Sequence, residues 1–136
     1  MRLALGIGCD RGTAIDTLAQ AVSQALAHAD AALSDVAAVA SITLKADEAA
    51  LLALAAQHGW HLTFYPPAQL ASVSVPHPSE TVRLHTGTPS VSEAAALLAA
   101  GATSAAALRV EKHKFKGADG KNATVSVALM NQEMQP

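Results

Sequence analysis

The sequence predicts an α/β fold: a single three-layer α/β/α domain around a mostly parallel sheet of about five strands, which a final hairpin would make mixed. Three features of the 136 residues indicate it. Short apolar runs alternate with segments of helical spacing, glycines or prolines separate many of them, and the last two strand-like segments flank a glycine-rich turn. We expect one domain over residues 1–130 and a loose tail over residues 131–136.

The first half of the chain alternates strand and helix signals. An apolar run over residues 3–7 predicts a buried strand, and Thr13 with Asp16 three residues later has the spacing of a helix N-cap and its acidic partner. Gly59 is typical of the residue that follows a helix. The predicted elements are a strand at 3–7, a helix at 13–28, a strand at 36–44, a helix at 47–57 and a strand at 60–65.

The second half of the chain is less regular. Residues 68–78 predict a loop with at most one helical turn, and residues 81–85 fit either a strand or a helix. Ser90 followed by Glu93 is a capping-box pattern, which predicts a helix that ends at Gly101. The remaining predicted elements are a strand at 105–111, a turn at 117–120 and a half-buried strand at 123–129.

Composition narrows the class of protein. The chain has 32 alanines but only two Phe, one Tyr and one Trp, so small and aliphatic side chains must fill the core. The net charge of −2 argues against a nucleic-acid partner. One cysteine excludes an intramolecular disulfide, and the six histidines show no metal-ligand spacing, so we expect no metal site and no cofactor. With neither a secretory signal nor an apolar run long enough for a membrane span, a cytoplasmic protein without a membrane partner is expected.

In sheets of this kind, ligands bind at the carboxyl ends of the strands beside helix N-termini. The first such segment, residues 8–13, lacks a dinucleotide fingerprint because Gly12 comes one position late, and it lacks the lysine of a P-loop. An anion-binding turn and a simple tight turn both remain open. Near Arg11 and a helix start, Cys9 would have a lowered pKa or be a structural thiol. Asp10 would be a general base or would complement the helix dipole.

Two further segments follow strand ends. Lys45 precedes Asp47 and Glu48 at a predicted helix start, which indicates either a functional charge cluster or a solvated lysine beside a helix cap. Residues 87–91 would present backbone and hydroxyl donors to a ligand, or would serve only to cap the next helix.

Basic residues are concentrated near the C-terminus. Residues 109–121 carry a net charge of +3, whereas residues 1–108 carry −4. A local cationic rim on an acidic protein suits a small polyanion better than a long nucleic acid, and a solvated hairpin loop is the alternative. The basic residues in this segment are Arg109, Lys112, Lys114, Lys116 and Lys121.

Together these segments resemble, in order and spacing, the CobE/CbiG C-terminal domain family of cobalamin (vitamin B12) biosynthesis. The resemblance implies a role in building the corrin ring. It also implies relatedness to CbiG, which opens the ring-A lactone of a cobalt-precorrin with release of acetaldehyde and carries additional N-terminal domains. None of those domains is recognisable here, so we expect most similarity to the stand-alone form, CobE. The segments that carry the resemblance are residues 6–9, 11–13, 44–48 and 87–96, Lys112 and residues 124–128.

We therefore predict a protein that binds a polycarboxylate corrinoid (tetrapyrrole) intermediate as a carrier or accessory factor, with another cobalamin-pathway enzyme as a candidate partner. One alternative is a lactone hydrolase of the CbiG kind, for which Asp10, Asp47 and Glu48 are the catalytic candidates. Another is a nucleotide-binding α/β domain. The predicted ligand-binding residues are Gly8, Cys9, Arg11, Gly12, Thr13, Lys45, Gly87, Thr88, Ser90, Val91 and Lys112.

Overall fold

The structure is a computed structural model and describes residues 1–130; the predicted tail, residues 131–136, lies outside the described residues. The described residues form five strands, five α-helices and three short 3₁₀ turns; strands and helices alternate in the first half, and three successive helices and then two strands make up the second. The strands are β1 Leu3–Cys9, β2 Val36–Ile42, β3 Leu62–Tyr65, β4 Leu108–Lys116 and β5 Asn122–Leu129. The helices are α1 Ile15–His28, α2 Ala49–His58, α3 Pro67–Ala71, α4 Glu80–Thr86 and α5 Ser92–Ala100.

All five strands form one mixed sheet in the order β3-β2-β1-β5-β4. β1 pairs in parallel with β2, and β2 with β3, whereas β5 is antiparallel to both β1 and β4. Because β1 and β4 are each antiparallel to β5, they run in the same direction. The carboxyl ends of four strands and the start of β5 therefore meet at one edge of the sheet, which confirms the predicted mixed sheet and its final hairpin.

Alternation of side-chain size along β1 produces the two helical layers. Leu3, Leu5 and Ile7 are fully buried and form one core with α1 and α2. On the opposite face, Ala4 and Gly6 offer almost no side chain, so α5 lies directly against β1. This arrangement confirms the three-layer architecture and explains why so many alanines are compatible with a packed core.

Helix α1 begins two residues later than predicted, because its cap comes from a distant part of the chain. Asp119, in the turn between β4 and β5, accepts hydrogen bonds from the Ala14 N–H at 2.8 Å and from the Thr17 hydroxyl at 2.9 Å. The Thr13 hydroxyl instead donates to the Asp10 carbonyl at 2.5 Å. The predicted N-cap role of Thr13 was therefore wrong.

Three other local predictions can be compared with the structure: a helix cap, an ambiguous segment and the end of a strand. The predicted capping box is absent, because Val91 occupies the N-cap of α5 and the Ser90 hydroxyl donates to the fully buried Glu93 carboxylate at 3.2 Å. The ambiguous segment at 81–85 is helical, within α4. β4 extends to Lys116, five residues beyond the predicted end, because alternating exposed basic residues are compatible with an edge strand.

Asp119→Ala is expected to lower the midpoint of thermal unfolding at neutral pH, because the first turn of α1 loses its cap. Hydrogen bonds from the Ala14 and Lys121 N–H groups hold the pKa of Asp119 below its usual value. This stabilisation is therefore present above the ordinary carboxyl pKa of about 4 and is lost as the pH falls through the lowered value. Circular dichroism melts should show a difference near pH 7 that shrinks near pH 3. Asp16→Ala, which removes an exposed acid from the same turn, is the control; equal melting of both variants would contradict this account.

Candidate functional site

A cleft of about 270 Å³ opens where β1 ends, between α4, the start of α5 and the β4–β5 hairpin. Its position at the carboxyl edge of the sheet is where ligands usually bind in open α/β folds. Each wall comes from a different part of the sequence. The lining residues are Gly8, Cys9 and Asp10 after β1, Thr81, Val82, His85 and Thr86 of α4, Val91 and Ser92 at the start of α5, and Lys112, Asn122 and Thr124 of the hairpin.

A carboxylate is fixed on one side of the cleft. The Asp10 Oδ2 atom accepts hydrogen bonds from the Asn122 backbone N–H at 2.8 Å and from its side-chain Nδ2 at 3.1 Å. The Asp10 N–H donates in turn to the Asn122 carbonyl at 3.0 Å. These three bonds join the end of β1 to the start of β5 and hold the Asp10 carboxylate in one orientation.

An ammonium group also belongs to the cleft, and an irregularity of β4 places it there. Val110 pairs with Val127 and His113 with Val125, so β4 contains one more residue than β5 over this stretch, as in a β-bulge. The Ser126 hydroxyl donates to the Glu111 carbonyl at 2.6 Å and fixes the bulge. Lys112 then extends on the α5 side of the sheet, where its Nζ donates to the His77 carbonyl at 3.3 Å.

The remaining polar groups of the cleft come from α4 and β5. The His85 Nδ1 atom lies 3.0 Å from the Thr81 carbonyl, which can only accept, so Nδ1 carries the proton and Nε2 is left for a ligand. The Thr124 hydroxyl donates to the Gly8 carbonyl at 3.4 Å. The cleft thus combines one ammonium group, one carboxylate, one imidazole and several hydroxyls, which suits an anionic ligand with further hydrogen-bonding groups.

The environment of Cys9 differs from the prediction of a lowered pKa. Burial raises the pKa of the Cys9 thiol to about 11, although the positive charge of Lys45 opposes this. The thiol is therefore neutral at physiological pH. This environment favours the alternative of a structural thiol over a reactive thiolate.

Alkylation of Cys9 is expected to be slow in the native protein. A pKa about two units above that of an exposed thiol leaves about a hundredfold less thiolate at pH 8. Iodoacetamide labelling followed by mass spectrometry should therefore be far slower in the folded protein than in the same protein unfolded in guanidinium chloride. Labelling of the folded protein at the rate of the unfolded control would contradict the raised pKa.

Arg11 and its acidic neighbours form a separate cluster outside the cleft. The Arg11 guanidinium lies 2.7 Å from Asp47 and 3.2 Å from Glu48, and it also donates to the Leu44 carbonyl. The hydrogen bond from Arg11 holds the pKa of Asp47 below its usual range. These contacts tie the loop after β1 to the loop after β2. Neither Asp47 nor Glu48 lines the cleft, and their predicted catalytic roles stay predictions.

Several backbone N–H groups at the two predicted anion sites are bonded within the chain itself. In the first, the Gly12 N–H donates to the Glu48 carboxylate at 3.0 Å, and Asp119 accepts from the N–H of Ala14. In the second, the Gly87 N–H donates to the Arg83 carbonyl at 2.9 Å. The neighbouring hydroxyls of Thr88 and Ser90 are buried and bonded to Ser90 O and Glu93, respectively. These groups hold the loops together.

Sequence reasoning identified part of the cleft and missed the rest. The predicted residues Gly8, Cys9, Asp10, Val91 and Lys112 line it. Lys45 does not, although it lies near enough to Cys9 to affect its pKa. The contribution of α4 was missed, although Ser79, whose hydroxyl accepts from the Val82 N–H at 3.2 Å, is a recognisable N-cap residue. The position of Asn122 and Thr124 could have been predicted from the hairpin, because a strand antiparallel to β1 begins at the edge of the sheet where β1 ends.

Within residues 1–130, no cluster of three or more His, Cys, Asp or Glu side chains is arranged to hold a metal ion. In the same residues, no helix is both long and apolar enough to cross a membrane.

The fold and the cleft define an α/β domain with a small, mixed-charge cleft at the carboxyl edge of its sheet. The chain belongs to the family described as "Cobalamin synthesis G C-terminus", which matches residues 3–128. It is 39% identical over 128 residues to a cobalt-precorrin-5A hydrolase of Priestia megaterium, a match covering 94% of this chain and 32% of that protein. It is also 39% identical over 101 residues to Protein CobE of a Sinorhizobium species, covering 73% of this chain and 66% of that protein. The matched region is thus about a third of the hydrolase and just under two thirds of Protein CobE.

Two solved structures share the fold over nearly the whole chain. The crystal structure of CobE, a protein from the cobalamin (vitamin B12) biosynthetic pathway, has a TM-score of 0.74 and 29% identity over 96% of this chain and 93% of that one. The cobalamin biosynthesis protein chiG from Agrobacterium tumefaciens has a TM-score of 0.66 and 32% identity over 96% of this chain and 99% of that one. The family predicted from the sequence is confirmed, and with it membership of a cobalamin biosynthesis family.

Proposed function

We propose that this chain binds a polycarboxylate corrinoid intermediate in the cleft beside Lys112 and acts as a carrier or accessory factor in cobalamin biosynthesis. The observation that carries the proposal is an ammonium group fixed in a cleft at the carboxyl edge of the sheet. Corrin precursors carry several acetate and propionate arms. Charge-assisted bonds from Lys112 to one arm, with the His85 Nε2 atom and the cleft hydroxyls nearby, would hold such a ligand.

The size of the cleft favours this role. At about 270 Å³, it lies just below the range of pockets that enclose a drug-sized ligand, so it would hold only one edge of a four-ring macrocycle. The rest of the ligand would stay outside. That arrangement suits a carrier which presents its cargo to another enzyme of the pathway.

Opening of a ring-A lactone is a second candidate function, and Asp10 is the observation that favours it. Its carboxylate is oriented by Asn122 and shares the cleft with Lys112. In such a reaction Asp10 would take a proton from water as the oxygen adds to the lactone carbonyl, and Lys112 would stabilise the oxyanion. The ring C–O bond would then break, its oxygen would take the proton from Asp10 and become a hydroxyl, and the carbonyl carbon would become a carboxylic acid that loses its proton to solvent. The partial match to a cobalt-precorrin-5A hydrolase is the reason to test it.

Titration of the purified protein with hydrogenobyrinic acid, followed by absorbance and mass spectrometry, tests the first proposal. We expect a stoichiometric complex from which the ligand is recovered with unchanged mass. Incubation with a lactone-bearing precorrin separates the two functions, because only the hydrolase would convert it. Absence of binding to hydrogenobyrinic acid would contradict the carrier proposal, and a product of altered mass from the precorrin would favour the enzyme.

A further inference from the structure

A second cleft lies on the far side of Lys112. Its volume is about 340 Å³, and its walls are His77, Pro78, Ser79, Lys112 and Lys114. Lys112 lines both clefts, so the two clefts adjoin each other at this residue. We propose that this second cleft is a carboxylate subsite, which binds an acetate or propionate arm of the ligand whose edge occupies the first cleft. This inference rests on the proposed function.

The charges around the second cleft favour an anion. Two lysines line it, and no acidic side chain does among the described residues. Two acids adjoin the lining residues in sequence. Glu111 is bound to the ring of His77, with 2.7 Å between His77 Nε2 and Glu111 Oε1, and Glu80 is bound to the Arg83 guanidinium. Because both carboxylates are paired with other side chains, the two ammonium groups are left to face an incoming arm.

The shape of β4 brings both lysines to the same side. Lys112, in the bulge, and Lys114 flank His113, and both line the second cleft, so both extend on the α5 side. His113, between them, turns to the opposite face, where its Nε2 lies 2.7 Å from the Gln24 side-chain oxygen. Lys112 is anchored to the His77 carbonyl at 3.3 Å and keeps further N–H donors for ligands on either side.

The dimensions of the ligand connect the two clefts. A macrocycle too large for the first cleft must lie across its rim, and the second cleft borders the same rim at Lys112. Arms of neighbouring pyrrole rings would then meet Lys112 and Lys114 in turn. The second cleft therefore adds affinity for a carboxylate-rich ligand without enclosing it.

The test compares Lys114→Gln with Lys116→Gln in titrations with hydrogenobyrinic acid, after circular dichroism has shown both variants to be folded. Both variants remove one positive charge from the same edge strand, β4. They differ in position, because Lys114 lines the second cleft and Lys116 lines neither cleft. We expect Lys114→Gln to weaken binding about fivefold and Lys116→Gln less than about twofold.

The outcomes separate this inference from the proposed function. Equal losses in the two variants would mean that Lys114 acts only through long-range attraction, and would overturn the subsite. The proposed function would then still stand if Lys112→Gln loses affinity. No binding of hydrogenobyrinic acid by the wild-type protein would overturn both.

Discussion

Gly6→Ala is expected to lower the stability of the folded protein strongly, because it adds a methyl group where the central strand β1 lies against α5. A Cβ atom at Gly6 would lie 1.8 Å from the Ser92 carbonyl oxygen and 2.5 Å from the Ala96 nitrogen. Both atoms belong to the backbone of α5, so no side-chain rotation relieves the clash. The helix would have to move off the sheet, and we expect a loss of about 3 kcal/mol or more in the free energy of unfolding.

Gly8→Ala provides the matched control for this prediction. It adds the same methyl to the same strand, but its nearest neighbours would be the Thr124 hydroxyl at 3.4 Å and the Val91 side chain at 3.6 Å. Chemical denaturation should show a large loss for Gly6→Ala and a small change for Gly8→Ala. Equal stability of the two variants would contradict the direct contact between α5 and β1.

Lys112→Gln is expected to cause the largest loss of ligand affinity. It removes the ammonium group that borders both clefts and leaves a neutral side chain of similar length. A charge-assisted bond to a carboxylate contributes about 1.5–3 kcal/mol, which corresponds to about 10- to 150-fold in the dissociation constant for hydrogenobyrinic acid. Isothermal titration calorimetry on the wild type and the variant measures it.

Two other lysines show whether this loss is local. Lys45→Gln changes the same charge beside Cys9 but outside the cleft lining, so we expect a smaller effect. Lys116→Gln should have little effect. If all three variants lose affinity equally, the ligand is attracted only by the overall positive charge of the lysines, and the assignment of the cleft is wrong.

The sheet could be predicted from the sequence because its signals are local. Apolar runs, the glycine after α2 and the turn between β4 and β5 each lie within a few residues of the element that they define. The alternation of leucine with alanine and glycine in β1 also holds the information for two layers, since the small residues admit α5.

The sequence could not show that backbone N–H groups before α1 are already hydrogen-bonded, because the carboxylates that accept from them come from far along the chain. Asp119 caps α1 from 105 positions away, and Glu48 binds the Gly12 N–H from 36 positions away. A glycine turn before a helix looks like an anion site until those carboxylates are in place. A different limit hid α4, whose seven residues have too little periodicity to distinguish a helix from a strand.

We propose above that a carboxylate-rich corrinoid binds at the cleft between β1, α4 and Lys112. Amide chemical-shift mapping with hydrogenobyrinic acid tests it most directly, since it locates the ligand. We expect the largest shifts at the amides of Gly8, Lys112 and Asn122, and little change at the opposite edge of the sheet around residues 102–107. Shifts confined to that opposite edge, or none at a saturating ligand concentration, would contradict the account.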